Sequence, residues 1–118
     1  MFNPTVLEHF RNPHNVGDVA DASATVEVVN PVCGDVLRLS VRMEAGRVAE
    51  ARFKTQGCVA AIAASSVLTD LMVGKSAAEF RLITPQQISE GLGTLPAATF
   101  HAAQLCADAL DALASKLV

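Results

Sequence analysis

VLRLSVRMEAGRVAEARFKTQGCVAAIAASSVLTDLMVG, residues 36–74, changes its hydrophobic period halfway along. In VLRLSVRM (36–43), Leu37, Leu39, Val41 and Met43 share one face, with Arg38, Ser40 and Arg42 on the other. RVAEARFK (47–54) sets Ala49, Ala51 and Phe53 against Glu50, Arg52 and Lys54. Period-two alternation predicts two strands, each with one buried and one wet face. EAGR (44–47) reads as the tight turn of a hairpin. After Gly57 the pattern becomes small and apolar nearly all round, which predicts a deeply packed helix over 59–73, closed by Gly74.

Working outward, TVEVV (25–29) adds a third strand and NPVCGD (30–35) joins it to the second. Residues 3–11 read as an amphipathic helix with Val6, Leu7 and Phe10 on its apolar side, followed by an irregular RNPHNVG. SAAEFRL and TPQQISEGL are two short helices, with Pro85 suited to the first turn of the second, and a last helix runs over 98–117. Strands followed by helices, with no βαβ alternation, make an α+β fold: a three-stranded antiparallel sheet with helices packed on one face. At 118 residues, one domain spanning 1–118 is expected, large enough for a core without disulfides or metal.

The net charge of −3 gives no electrostatic ground for nucleic acid. Arg38, Arg42, Arg47, Arg52 and Lys54 form a local basic group, either a solvated sheet face or a contact for an acidic partner. The N-terminus has no charged segment followed by an apolar run, and CVAAIAASSVL (58–68) is too short to span a bilayer. A cytoplasmic protein with reduced thiols and no membrane association is expected. The odd count of 3 cysteines argues against a disulfide framework.

The donor residues are dispersed. Cys33 and Asp35 lie in a Gly-containing loop, a weak signal on its own that local turn hydrogen bonds beside an inert thiol explain more readily. Cys58 starts the buried helix, where backbone N–H groups would lower its pKa; it also suits a small buried apolar role. His101 sits in the first turn of the last helix, just after Leu95-Pro96, where a lone histidine is more often a satisfied surface or core residue than a ligand. His9 and His14 carry nothing that lifts them above ordinary structural roles. No C-x-x-C pair exists, so any metal site must be assembled from distant segments.

Taken together, NPVCGDVLRLSV, ARFKTQGCVAAIAASSVLTDLMVGKS and LPAATFHAAQLCADAL resemble the IscU-type scaffold proteins of iron–sulfur cluster assembly, which include the N-terminal domain of NifU. The resemblance covers about 12–117. It implies the same fold and a non-enzymatic function, the transient assembly of a 2Fe–2S cluster and its transfer to acceptor apo-proteins. A cysteine desulfurase would supply the sulfur. It also implies the ligands Cys33, Asp35, Cys58 and His101, for iron or cluster. Two sulfurs, one nitrogen and one oxygen would equally accept zinc. An alternative is a zinc-binding or sulfur-relay paralogue that no longer builds clusters. A thiol enzyme, with Cys33 as nucleophile and His101 as base, lacks any readable oxyanion hole or substrate pocket.

Two positions depart from the family pattern. Where the family usually has a third cysteine directly after the histidine, this chain has Ala102. Where chaperone-served members have Leu-Pro-Pro-Val-Lys, it has LPAAT (95–99), so a dedicated Hsp70-type chaperone is not expected as a partner. Cys106 lies roughly 6 Å further along the helix than Ala102 and about 140° around from His101. With Leu110, Leu113 and Leu117 it forms an apolar stripe, which assigns it to the core. A monomer, or a dimer lending a thiolate from a second copy, are both compatible with this reading.

Overall fold

In the computed structural model, which describes residues 2–31 and 33–117, the 36–74 stretch is a hairpin followed by a helix. Three strands, β1 (Ala24–Val29), β2 (Val36–Glu44) and β3 (Arg47–Gln56), pair antiparallel in the order β1-β2-β3. The turn takes Ala45 at φ 52° and Gly46 at φ 78°, left-handed at both central positions. Such turns match the right-handed twist of the strands they join.

The inner face of the sheet follows the alternation at Val26, Leu37, Leu39, Val41, Ala51 and Phe53, all buried. Near the turn it departs. Arg42 pairs with Glu50 but Met43 pairs with Val48, so a bulge leaves Ala49 unpaired. One extra residue reverses the facing beyond it. Val48 therefore enters the core, and Ala49, expected inside, is only half-buried. Ser40 is also buried, although it lies on the outer face. The segment after the first helix crosses there, and the Val19 amide donates to Ser40 Oγ at 3.0 Å.

That same segment protects the free side of β3. Gly17 N donates to Phe53 O at 2.8 Å and Phe53 N to Asn15 O at 2.9 Å, a short parallel pairing. Unpaired edge strands invite association, and this one is covered from within the chain.

Among the described residues, four α-helices complete the fold: α1 (Pro4–Arg11), α2 (Val59–Met72), α3 (Pro85–Gly91) and α4 (His101–Leu117). SAAEFRL forms a 3₁₀ helix, Ala77–Leu82, begun by a reciprocal Ser76–Glu79 capping box. Thr84 caps α3 through Gln87 N, with Pro85 in the first turn. Gly74, at φ 85°, follows α2 as expected. α2 packs on β3, and α4 on β1 and β2, so the helices share one face of the sheet. α1 lies against α2 and buries Val6, while Phe10, expected on the apolar side, is exposed.

The basic group on the sheet is neutralised within the chain. Arg38 and Lys54 both pair with Asp18, at 2.9 and 3.0 Å. Arg52 pairs with Glu50, Arg42 with Glu44 and Glu50, and Arg47 with Glu79. It is a solvated, ion-paired face.

Candidate metal centre

Three segments converge beside one end of the sheet. The β1–β2 loop is closed by Gly34 N donating to Asn30 O and Asn30 N donating to Asp35 O, each at 2.8 Å. Gly34, at φ 77°, supplies the left-handed residue this loop needs. Cys33 is exposed, and Asp35 is turned inward to 8 % exposure. The β3–α2 turn brings Cys58 to the N-cap position of α2. A 3₁₀ turn, Ala97–Thr99, leads into α4, whose first residue is His101. Leu95 anchors that approach, its buried amide donating to Ser89 Oγ at 2.8 Å.

The geometry is that of a coordination face. Cys58 Sγ lies 3.5 Å from Asp35 Oδ2, His101 Nε2 lies 3.9 Å from the same oxygen, and Cys58 Sγ and His101 Nε2 are 4.0 Å apart. With metal–ligand bonds of about 2.0–2.3 Å, a tetrahedron has edges of roughly 3.3–3.8 Å. The triangle is within a few tenths of an ångström of that. Donor atoms of Cys33, Asp35 and His101 also lie within 4.8 Å of one another, so Cys33 shares two of its neighbours with Cys58. Two overlapping groups, Cys58 with Asp35 and His101 and Cys33 with Asp35 and His101, thus share a carboxylate and an imidazole.

The thiol of Cys58 does not behave as its helix-start position suggests. Its pKa is raised, not lowered. Burial is the main cause, and the Asp35 carboxylate adds repulsion toward a thiolate, outweighing the amides of Ala61 and Ala60. A cation arriving between these groups would reverse that balance.

Cys106 stays outside the site. It is fully buried with Leu110 and Leu113, and burial pushes its thiol up to about 12, tempered by a hydrogen bond with Ser65. Ser65 Oγ also donates to Ala61 O at 2.8 Å and lies 3.0 Å from Thr55 Oγ1, tying α2 to the end of β3. Ala102 is fully buried as well, one residue from the half-exposed His101. His9 and His14 serve as a latch between α1 and α2. His9 Nδ1 meets Ser66 Oγ at 2.8 Å, and His14 pairs with Asp70.

One contributor was not predicted. A Cβ built on Gly57 would sit 2.6 Å from Asp35 Cγ. In the sequence the only trace is a glycine before a cysteine, which says nothing of what lies opposite.

Among the described residues, no helix is long and apolar enough to cross a membrane. The chain matches the NifU-like N-terminal domain family over residues 1–117. It is 42% identical over 110 residues to the iron-sulfur cluster assembly scaffold protein IscU 1 of Archaeoglobus fulgidus, covering 93% of this chain and 72% of the relative. It is 40% identical over 115 residues to IscU of Azotobacter vinelandii, covering 94% and 89%. In fold it is similar to a NifU-like N-terminal protein from Brucella abortus, with a TM-score of 0.65 at 23% identity over 97% of this chain and 81% of the other. A putative iron-sulfur scaffold from Fervidobacterium islandicum gives a TM-score of 0.73 at 15% identity, covering 96% of each chain. With the matched residues spanning the sheet, its helices and all four donors, the chain belongs to the NifU-like N-terminal domain family.

Proposed function

We propose that this protein is a scaffold on which an iron–sulfur cluster is assembled and from which it is passed on, with Cys33, Asp35, Cys58 and His101 holding the iron. The observation that carries this is the triangle of Cys58, Asp35 and His101 donors, with Cys33 also close to Asp35 and His101. Relatives at about 40% identity bear the name of iron–sulfur cluster assembly scaffold. Thiolates bind such iron firmly, whereas a carboxylate oxygen and an imidazole nitrogen bind it less tightly. A mixed donor set suits cargo that must leave again, and solvent access leaves room for a donor or acceptor protein. A cysteine desulfurase is the expected sulfur source and apo-proteins the expected recipients. The protein acts as a carrier and not by turning over a substrate.

The same triangle favours a second reading, a single tetrahedral zinc ion in a paralogue that builds no cluster. Its edges suit one ion, and position 102 offers no third thiol.

Anaerobic reconstitution with iron, sulfide and a desulfurase separates the two. The chain has 0 Trp and 0 Tyr, so cluster absorbance is seen against a faint background. Wild type is expected to develop visible absorbance and Cys58→Ala to lose it. If wild type stays colourless while Ala102→Cys gains a cluster, the scaffold reading fails for this chain. If Cys33→Ala and Cys58→Ala both leave metal content unchanged, the site itself is wrong.

A further inference from the structure

Gly57 stands one residue before Cys58, and what surrounds it differs from what surrounds the turn glycines. Gly34, Gly46 and Gly74 have left-handed φ values, with nothing within 4 Å of where a Cβ would lie. They are glycines because of their backbone conformation. Gly57 is outside that set, and its φ would admit any residue. What forbids a side chain there is Asp35: a Cβ would lie 2.6 Å from Cγ, 2.9 Å from Oδ1 and 3.0 Å from Oδ2. All three nearest atoms belong to the one carboxylate.

That carboxylate cannot move aside without leaving the site. Asp35 is 8 % exposed, its backbone carbonyl is held by Asn30 N, and its Oδ2 forms two edges of the donor triangle. Turning χ1 away from a Cβ at position 57 would withdraw Oδ2 from Cys58 and His101 together.

We propose that Gly57 is a positioning residue: its missing side chain is the seat that holds the Asp35 carboxylate against Cys58 and His101. The consequence is specific. A methyl group at position 57 acts as a deletion of the Asp35 ligand while both cysteines and His101 remain. The inference rests on reading Asp35 as a ligand, and it predicts that the effects of positions 57 and 35 are not additive.

The test is a double-mutant cycle on Gly57→Ala and Asp35→Ala, read in two ways. In the metal-free protein, Gly57→Ala should lower the melting temperature by several degrees, and adding Asp35→Ala should restore most of it, because that change removes the three atoms nearest the methyl group. If Gly57→Ala fails to fold and the double variant folds, the seat is supported in the same way. The second reading uses cobalt(II) alone as the probe. Gly57→Ala should weaken cobalt binding roughly 10–100-fold, the usual cost of disturbing a residue that orients a ligand. Its ligand-field bands should match those of Asp35→Ala, with thiolate charge-transfer bands retained, and the double variant should add nothing.

Additive melting shifts, or a double variant that unfolds like Gly57→Ala, would overturn the seat while leaving the ligand reading intact. Wild-type cobalt affinity and spectrum in Gly57→Ala would overturn it too. If wild type takes up no cobalt, the ligand reading itself has failed and the proposed purpose of the seat goes with it, whatever the melts show.

Discussion

The reactivity of the three thiols separates the donors from the core. Cys33 and Cys58 are exposed, and Cys106 is buried with its pKa raised from 9.0 to about 12. Each pKa unit cuts the thiolate population about tenfold near neutral pH, and the greater nucleophilicity of a more basic thiolate returns part of this, so the shift alone slows Cys106 by roughly 30–60-fold relative to an ordinary thiol. Burial slows it again, because a reagent must wait for α4 to open. The assay is a disulfide reagent or iodoacetamide added to metal-free protein at pH 7.5, with labelled sites identified by mass spectrometry over time. Two thiols should react quickly, Cys58 the slower of them because burial and Asp35 raise its pKa. The third should react only in denaturant. Cobalt or zinc should protect Cys33 and Cys58 and leave Cys106 unchanged. Labelling of Cys106 in the native protein within tenfold of the Cys58 rate would refute the reasoning. It would mean that the second turn of α4 opens readily and that Cys106 can reach the metal centre.

Two further outcomes test how the scaffold is held. Ser65→Ala removes the hydroxyl that joins Thr55 and Ala61, and should cost about 1–3 kcal/mol in urea unfolding; no measurable loss would mean the Thr55 hydroxyl finds water instead. The pKa of His9 is lowered, first by burial and then by His14, with Asp70 and Glu8 opposing. The unfolded chain therefore binds more protons than the folded one as pH falls through 6.5 toward the lower folded value. Stability should drop over that window, and by less in His9→Gln; equal drops in melting temperature would exclude the His9 contribution.

The hairpin and the helix after it were legible because burial on one face imposes a period on the chain. What escaped were events of single residues. The bulge that exchanges Ala49 for Val48 leaves no mark in an alternation that looks regular, since either residue is apolar. Ser40 looked wet because the segment that covers it is distant in sequence. The donor set came from the family likeness and not from spacing, for no local pattern links Cys33, Cys58 and His101. The direction of the Cys58 shift was missed because a helix start is a local feature, whereas the carboxylate and burial that outweigh it arrive through the tertiary fold. The core place of Cys106 is legible because a helical stripe is, again, periodic.

Because the donors sit on a loop, a helix start and the first turn of another helix, a bound ion would tie together parts of the chain that have no covalent neighbourhood. Loading then acts as a cross-link that cools the motions of all three. Prising the first turn of α4 outward would carry His101 away and open the shell from one corner, leaving the Cys33 and Cys58 thiolates to be replaced by a recipient's own ligands. The bond from Leu95 to Ser89 fixes the approach to that turn. A partner that grips the approach to α4 would thus loosen the shell before any sulfur changes hands.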